Sequence, residues 1–295
     1  MKRNQCKIVS FIILVVLCVT KADGQRYFNN PIAQYFRDDY LWNPSFAGQT
    51  TRPRIYALMN SSWTGFENAP RLINFSADFA FGNNSGAGLQ LISDKSGVLQ
   101  RNLGAISYSY RVKFSETEFL RLGTSLELYK ERLDNNVINA SGDVDPVVKE
   151  FNSRGWQFDG DVGLAYQKNN FMVGASVFNL SSQNFKVATS DLALAQVQTS
   201  YKLYFDEDSK MSITPLLSYK LYKQHENIFT TAAQFEFEKV FHASLYWQST
   251  GNMMGGLGVE IKDWIEANFF YSGKMKYGYN PQYEIGLKVV INNEE

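Results

Sequence analysis

The sequence predicts an all-β chain, a transmembrane antiparallel β-barrel of about 14 strands with a non-barrel N-terminal segment at the periplasmic mouth or in the lumen. Three observations predict it. Aromatic side chains make up 15% of the 295 residues while mean hydropathy stays slightly negative, a combination that suits strands with one greasy and one wet face. Period-two segments follow one another from about residue 55 to the end of the chain. The connections between them alternate between short and long, as in barrels with periplasmic turns and outer loops.

Taken in order, the chain opens with Lys2, Arg3 and Lys7 ahead of an apolar run from Ile8 to Val19, then Ala22-Asp23-Gly24. This is the pattern of a secretory signal peptide over 1–24. Its run is too short for a spanning helix, and Leu17 before Cys18 is not the small residue that a lipidation site wants. Cys6 and Cys18 both fall inside the leader, so the mature chain is no disulfide scaffold. Losing residues 1–24 leaves 25 basic and 28 acidic side chains, a net charge of −3 that favours no nucleic acid. No later apolar run is long enough for a spanning helix. The divisions are then 1–24 leader, 25–53 N-terminal periplasmic or plug segment, and 54–295 barrel.

The stretch from Gln34 to Gly48 has no period. It carries Tyr35, Phe36, Tyr40, Trp42 and Phe46, a charged Arg37-Asp38-Asp39 centre and an Asn43-Pro44 turn signal closed by Gly48. Neither helix nor strand suits it, so it is read as an ordered piece outside the wall. Its aromatics need an apolar or stacked home, and its charges can pair with a mixed-charge lining. Plug and partner-binding element are both open readings of it.

Strands are expected to begin near Ile55, Leu72, Gly86, Leu99, Glu118, Gln157, Phe171, Asp191, Met211, Phe229, Phe241, Met254, Ile265 and Gln282. The division of faces is clear in 119–129, where Leu120, Leu122, Thr124, Leu126 and Leu128 oppose Arg121, Gly123, Ser125, Glu127 and Tyr129. Ile106, Tyr108 and Tyr110 oppose Ser107, Ser109 and Arg111 in the same way. The short connections are 82–85, 115–117, 168–170, 206–210, 238–240 and 262–264; the longer ones are 63–70, 94–98, 132–156, 181–190, 222–228, 249–253 and 273–281. This parity puts both ends of the mature chain in the periplasm. A soluble sandwich would have no reason to sort its loops so. The last strand, Glu284-x-Gly286-x-x-Val289-x-Ile291, is similar to the assembly signal of outer-membrane proteins, without its terminal aromatic.

No active site is legible, and the chain is read as no enzyme. With two histidines, His225 and His242, a histidine metal cluster is excluded, and no cofactor is expected. His242-Ala243-Ser244 resembles the His-x-Ser pair of outer-membrane phospholipases, but the strand's alternation turns both side chains into the lumen, away from lipid. Asp159 and Asp161 share a side, and are read as lumen lining neutralised by Arg121, Arg111 or Lys288 rather than as an acid/base pair. Asp94-Lys95-Ser96-Gly97 reads as a turn, not a calcium loop. Gly86-x-Gly88 has no helix after it and binds no dinucleotide. The large outer loop 132–156 is read as functional or mobile.

Several stretches in order resemble the PorP/SprF family of type IX secretion system outer-membrane proteins of Bacteroidota. They are Gln34-Tyr35-Phe36, Asn43-Pro44-Ser45-Phe46-Ala47-Gly48, Ser62-Trp63, Ala69-Pro70-Arg71, Gly86-Ala87-Gly88-Leu89-Gln90, Asp94-Lys95-Ser96-Gly97, Tyr108-Ser109-Tyr110 and Tyr283-Glu284-Ile285-Gly286-Leu287. The resemblance covers essentially the whole mature chain. It implies a Gram-negative outer-membrane barrel of the secretion and gliding-motility machinery that binds, anchors or presents a secreted, adhesin-like partner at the cell surface. It also implies contact with periplasmic secretion components and with outer-membrane lipid. Gln34, Tyr35, Phe36, Asn43, Pro44, Phe46, Gly48 and Arg71 are the residues it marks for the partner or the plug. The alternative is a passive porin or small-molecule transporter plugged by the same segment. Lumen positions of both signs, among them Arg121, Glu127, Asp159, Glu266 and Lys288, suit internal ion pairs better than a selectivity path.

Overall fold

The computed structural model describes residues 34–62, 69–134, 146–181, 193–205, 210–222, 226–273 and 281–291. The leader 1–24, residues 25–33, Trp63, His225, the 135–145 part of the large loop and the tail 292–295 lie outside the described residues. Three 3-10 turns come first, at Gln34–Phe36, Asp39–Leu41 and Pro44–Phe46. The wall follows: β1 (Arg54–Ser62), β2 (Arg71–Phe81), β3 (Ser85–Ser96), β4 (Leu99–Ser115), β5 (Glu118–Leu133), β6 (Gln157–Lys168), β7 (Phe171–Val177), β8 (Ala193–Tyr201), β9 (Leu203–Tyr204), β10 (Met211–Tyr222), β11 (Ile228–Phe237), β12 (Phe241–Gln248), β13 (Met253–Lys262), β14 (Ile265–Ser272) and β15 (Gln282–Val290).

Apart from the two-residue β9, each strand pairs antiparallel with the next in sequence, and β15 returns to β1 with the register Arg54↔Val290 through Ser62↔Gln282. The sheet is therefore closed. β9 takes over from β8 against β10, pairing Tyr204 with Ser212, so the two share one place in a wall of 14 strands with one extra piece. Closure is what permits a sheet to cross a bilayer, since every ladder amide and carbonyl finds a partner within the wall.

The faces sort as the alternation requires. Leu122, Leu126 and Phe158 stand 46%, 56% and 68% exposed on the outside, whereas Arg121, Glu127 and Asp159 on the same strands are buried on the inside. Around the short-turn end the outer face carries a belt of exposed aromatics, including Phe79, Phe81, Tyr108, Tyr110, Tyr201 and Trp264, at the depth where amphipathic rings meet lipid headgroups. Phe79, Phe81 and Tyr108 touch in sequence with ring centroids 6.1 Å apart at each step.

Three expectations need correction. Asp94, Lys95 and Ser96 belong to β3, and the connection to β4 is the two-residue turn Gly97–Val98 instead of a longer outer loop. Gly97 has a φ of 62°, which closes a tight hairpin, and the buried pair Asp94↔Arg101 continues the ladder up to it. In the large loop the last part is a helix, α1 (Pro146–Asn152), which buries Val148 and Phe151. The Asn152 side chain caps β5 by donating to the Leu133 carbonyl at 2.9 Å and accepting from the Leu133 amide at 2.7 Å. Asp159 and Asp161 are held by amides rather than by the cations named for them. The Ser181 amide donates to Asp159 at 2.8 Å and the Asn179 amide to Asp161 at 2.9 Å, while Arg111 turns to the Asn83 carbonyl and Lys288 to Glu266.

Candidate functional site

The segment 34–48 lies inside the lumen, and its local shape follows from two short polar side chains. Asp38 and Asn43, both extended at φ −145° and −150°, cap successive 3-10 turns: Asp38 accepts from the Tyr40 amide at 3.2 Å and Asn43 from the Ser45 amide at 2.9 Å. Pro44 starts the third turn, where its missing N–H costs nothing. Gly48, at φ 62°, ends the run. No period can describe such a segment, because each turn reverses before a second one forms.

One side of the wall is hollowed to receive it. Gly86, Ser109, Gly123, Gly163 and Ser176 are directly opposed across β3 to β7 and form a single row of small inward residues. A Cβ on Gly123 would stand 2.3 Å from the Ser45 amide nitrogen, and one on Gly86 2.1 Å from the Ala47 carbonyl oxygen. On Gly163 it would meet the Asn43 side chain at 2.0 Å. Beside the row, Gly88 leaves room for the Tyr40 ring and Gly174 for Trp42. The gap thus formed is stitched by hydrogen bonds. Asn43 donates to the carbonyls of Leu164 and Ala175 at 3.0 and 3.3 Å, Ser109 donates to the Ala47 carbonyl at 2.6 Å, and the Tyr40 hydroxyl meets Ser107 at 2.8 Å.

The opposite side is held by charge and aromatic contact. Arg37 donates to Glu266 at 3.1 Å, to the His242 Nδ1 at 3.2 Å and to Gln234. Glu266 also takes Lys288, so one carboxylate is shared by two cations. Because a guanidinium can only donate, His242 accepts through Nδ1 and carries its proton on Nε2. Asp38 accepts from Ser76 at 3.0 Å and lies 3.8 Å from Arg54, which grips Asp78 through two bonds of 3.1 and 2.9 Å. Asp78 in turn accepts from the Gly48 amide at 2.7 Å. Further out, Lys220 donates to the Tyr35 hydroxyl at 2.7 Å, and the Phe36 ring packs at a tilt of 53° against Tyr246 with centroids 5.6 Å apart. Trp42 and Phe46 pack together at 5.6 Å.

Of the residues marked from sequence, Tyr35, Asn43, Pro44, Phe46 and Gly48 are buried in this arrangement and Phe36 is half-buried. Gln34 opens the first turn. Arg71 is not part of it: it stands exposed on the outer face at the long-loop end of β2. Arg54, Asp78, Gln234 and the small-residue row are site residues that the sequence reading passed over. The row had a signal, namely glycine or serine at inward positions of consecutive strands. His242 and Ser244 both point into the lumen, where Ser244 accepts from Gln234 at 3.1 Å. Among the described residues there is no group of three or more His, Cys, Asp or Glu that could hold a metal ion.

Replacing Arg37 with methionine should lower stability by about 2–3 kcal/mol, because Gln234 and His242 lose their buried donor while Glu266 keeps Lys288. The midpoint of urea unfolding in lipid vesicles measures this. Adding Glu266→Gln should cost less than the sum of the two single changes, as expected for groups in direct contact.

Comparison with known proteins adds a family and a fold. The family described as "Type IX secretion system membrane protein PorP/SprF" matches residues 28–288. Among solved structures, the Ralstonia pickettii toluene transporter TbuX aligns with a TM-score of 0.53 at 12% identity, covering 91% of this chain and 96% of its own. The CymD monoaromatic hydrocarbon channel aligns with a TM-score of 0.53 at 13% identity, covering 92% of this chain and 96% of its own. At such identity the likeness shows the barrel fold alone. No curated protein matches the sequence.

Proposed function

The chain belongs to the type IX secretion system membrane protein family PorP/SprF, and on that premise we propose that it works as a plugged holder in the outer membrane. In this reading the barrel binds, anchors or presents a secreted, adhesin-like partner at the cell surface and meets secretion components at its periplasmic end. Residues 1–24 are the leader that exports it, 25–53 the plug and 54–295 the wall.

One observation supports a holder over a conduit. The wall is shaped around the segment by the Gly86-Ser109-Gly123-Gly163-Ser176 row, and the segment is tied by Arg37, Asp38 and Asn43 to opposite sides of the lumen. A transporter would need that filling to leave at each passage. The ion pairs of both signs that surround it also make a poor selectivity path.

The test has two arms on the same purified protein. In planar bilayers it should give no large, stable, solute-selective current, and in mild detergent it should co-purify with a protein that type IX secretion exports. Large selective currents would overturn the holder reading in favour of a passive porin or small-molecule transporter. Failure to recover any secreted protein at normal barrel yield would overturn the anchoring role.

A further inference from the structure

The outer face of β2 to β5 has two properties that belong together. Following the register across these strands gives outward rows: Arg71, Lys95, Gln100 and Arg132 nearest the long-loop end, then Ile73, Ser93, Asn102 and Lys130, then Phe75, Leu91, Gly104 and Leu128. The third row is indented at Gly104, which faces lipid without a side chain; a Cβ built there would have Leu91 Cδ2 at 3.5 Å and nothing nearer. Ile73, Phe75, Leu91, Leu128 and Trp156 wall the hollow around it, an apolar groove of about 450 Å³. Directly above it four cationic side chains share a patch about 15 Å across, from the spacing of neighbouring strands. Among the described residues of this patch one carboxylate answers them, Asp134, which lies 3.3 Å from Lys95.

We propose that this face binds a phosphorylated lipid of the outer leaflet, with an acyl chain lying in the Gly104 groove and the phosphate held by Lys95, Lys130, Arg132 and Arg71. The groove lies on the lipid side of the wall, where the surrounding medium supplies acyl chains. It leads toward the long-loop end, which in bacterial barrels faces the cell exterior. An acyl chain alone would explain the groove but leave the excess of cations unanswered. A phosphate-bearing head on the same molecule accounts for both, because planar guanidinium forks and ammonium groups at a membrane surface recognise that anion. Trp156, 55% exposed at the upper end of the groove, suits the depth where headgroup and chain meet. The inference rests on the barrel's place in the outer membrane and not on the holder role.

The experiment uses the full mature protein in phosphatidylcholine nanodiscs doped with bis-phosphorylated lipid A or with its dephosphorylated counterpart, and reads retained lipid by native mass spectrometry. The wild type should retain the phosphorylated lipid and not the other. Losing charge in Lys95→Gln, Lys130→Gln and Arg132→Gln should weaken retention about fivefold per cation, so about 100-fold for the triple variant. Gly104→Leu, which fills the groove and leaves the charge unchanged, should lower retention of the phosphorylated lipid as well. Heat-modified mobility in detergent confirms that each variant is folded. Equal retention of the two lipids, or a triple variant that retains lipid as the wild type does, would overturn the proposal. So would full competition by inorganic phosphate, which would mark a site for a free anion, and so would a bound protein on this face that lipid fails to displace.

Discussion

A barrel in which Gly123 is replaced by valine should be unable to seat its lumen segment. The new Cβ would stand 2.3 Å from the Ser45 nitrogen and 2.4 Å from the Pro44 carbonyl carbon, both backbone atoms of a turn already fixed by the Asn43 cap. Neither side can yield cheaply. The wall strand is paired on both edges, and the segment is tied on its far side by Arg37 and Asp38. The expected cost is at least about 3 kcal/mol, the upper end for overpacking, because the obstruction is backbone rather than a rotatable side chain. Urea unfolding in vesicles reads the loss. A control decides the cause: in a protein lacking Pro31 to Gly48 the same substitution should be nearly neutral. If Gly123→Val destabilises both backgrounds equally, the row of small residues serves the wall and not the segment.

The deletion itself carries the second large effect. Without Pro31 to Gly48 the wall should still insert, since its strands pair only with one another and β15 closes on β1 without help from the segment. Removing the segment empties the volume held by Tyr35, Tyr40, Trp42 and Phe46, all buried in the intact protein. It also leaves Glu266, Asp78 and Arg54 lining open space. Planar bilayers should then show large, stable currents with weak ion selectivity, because the exposed lining carries both signs. A deleted barrel as silent as the wild type would mean that other parts of the chain seal the lumen.

The wall was readable because its physics is repetitive. A strand with lipid on one side and packed polar groups on the other must alternate, so Leu122 and Leu126 against Arg121 and Glu127 announce both the strand and its orientation. What escaped was set by contacts between distant positions. The Asp159 and Asp161 carboxylates look like partners for arginine until backbone amides of residues 179 and 181 fill them. The helix at Pro146–Asn152 follows an Asp-Pro start, the usual beginning of a helix, but sits within a loop whose composition resembles disorder. Gln34 to Gly48 could be recognised as an exception without its place being known, because caps at Asp38 and Asn43 fix local turns and say nothing about the lumen. The glycine row on β3, β5 and β6 held that information, distributed over nearly 80 residues and visible only once the register of the strands aligns it.

The row also constrains the order of events during biogenesis. The segment precedes β1 in the chain, yet its seat is made by β3 to β7 and its charged tether by β11, β12 and β14. Its bulky aromatic and guanidinium groups would have to be drawn past a ring of filled polar positions if the seam between β15 and β1 sealed first. In the intact chain the segment must therefore already lie against the curling sheet before the last edge is joined, although the wall needs it neither to pair nor to close.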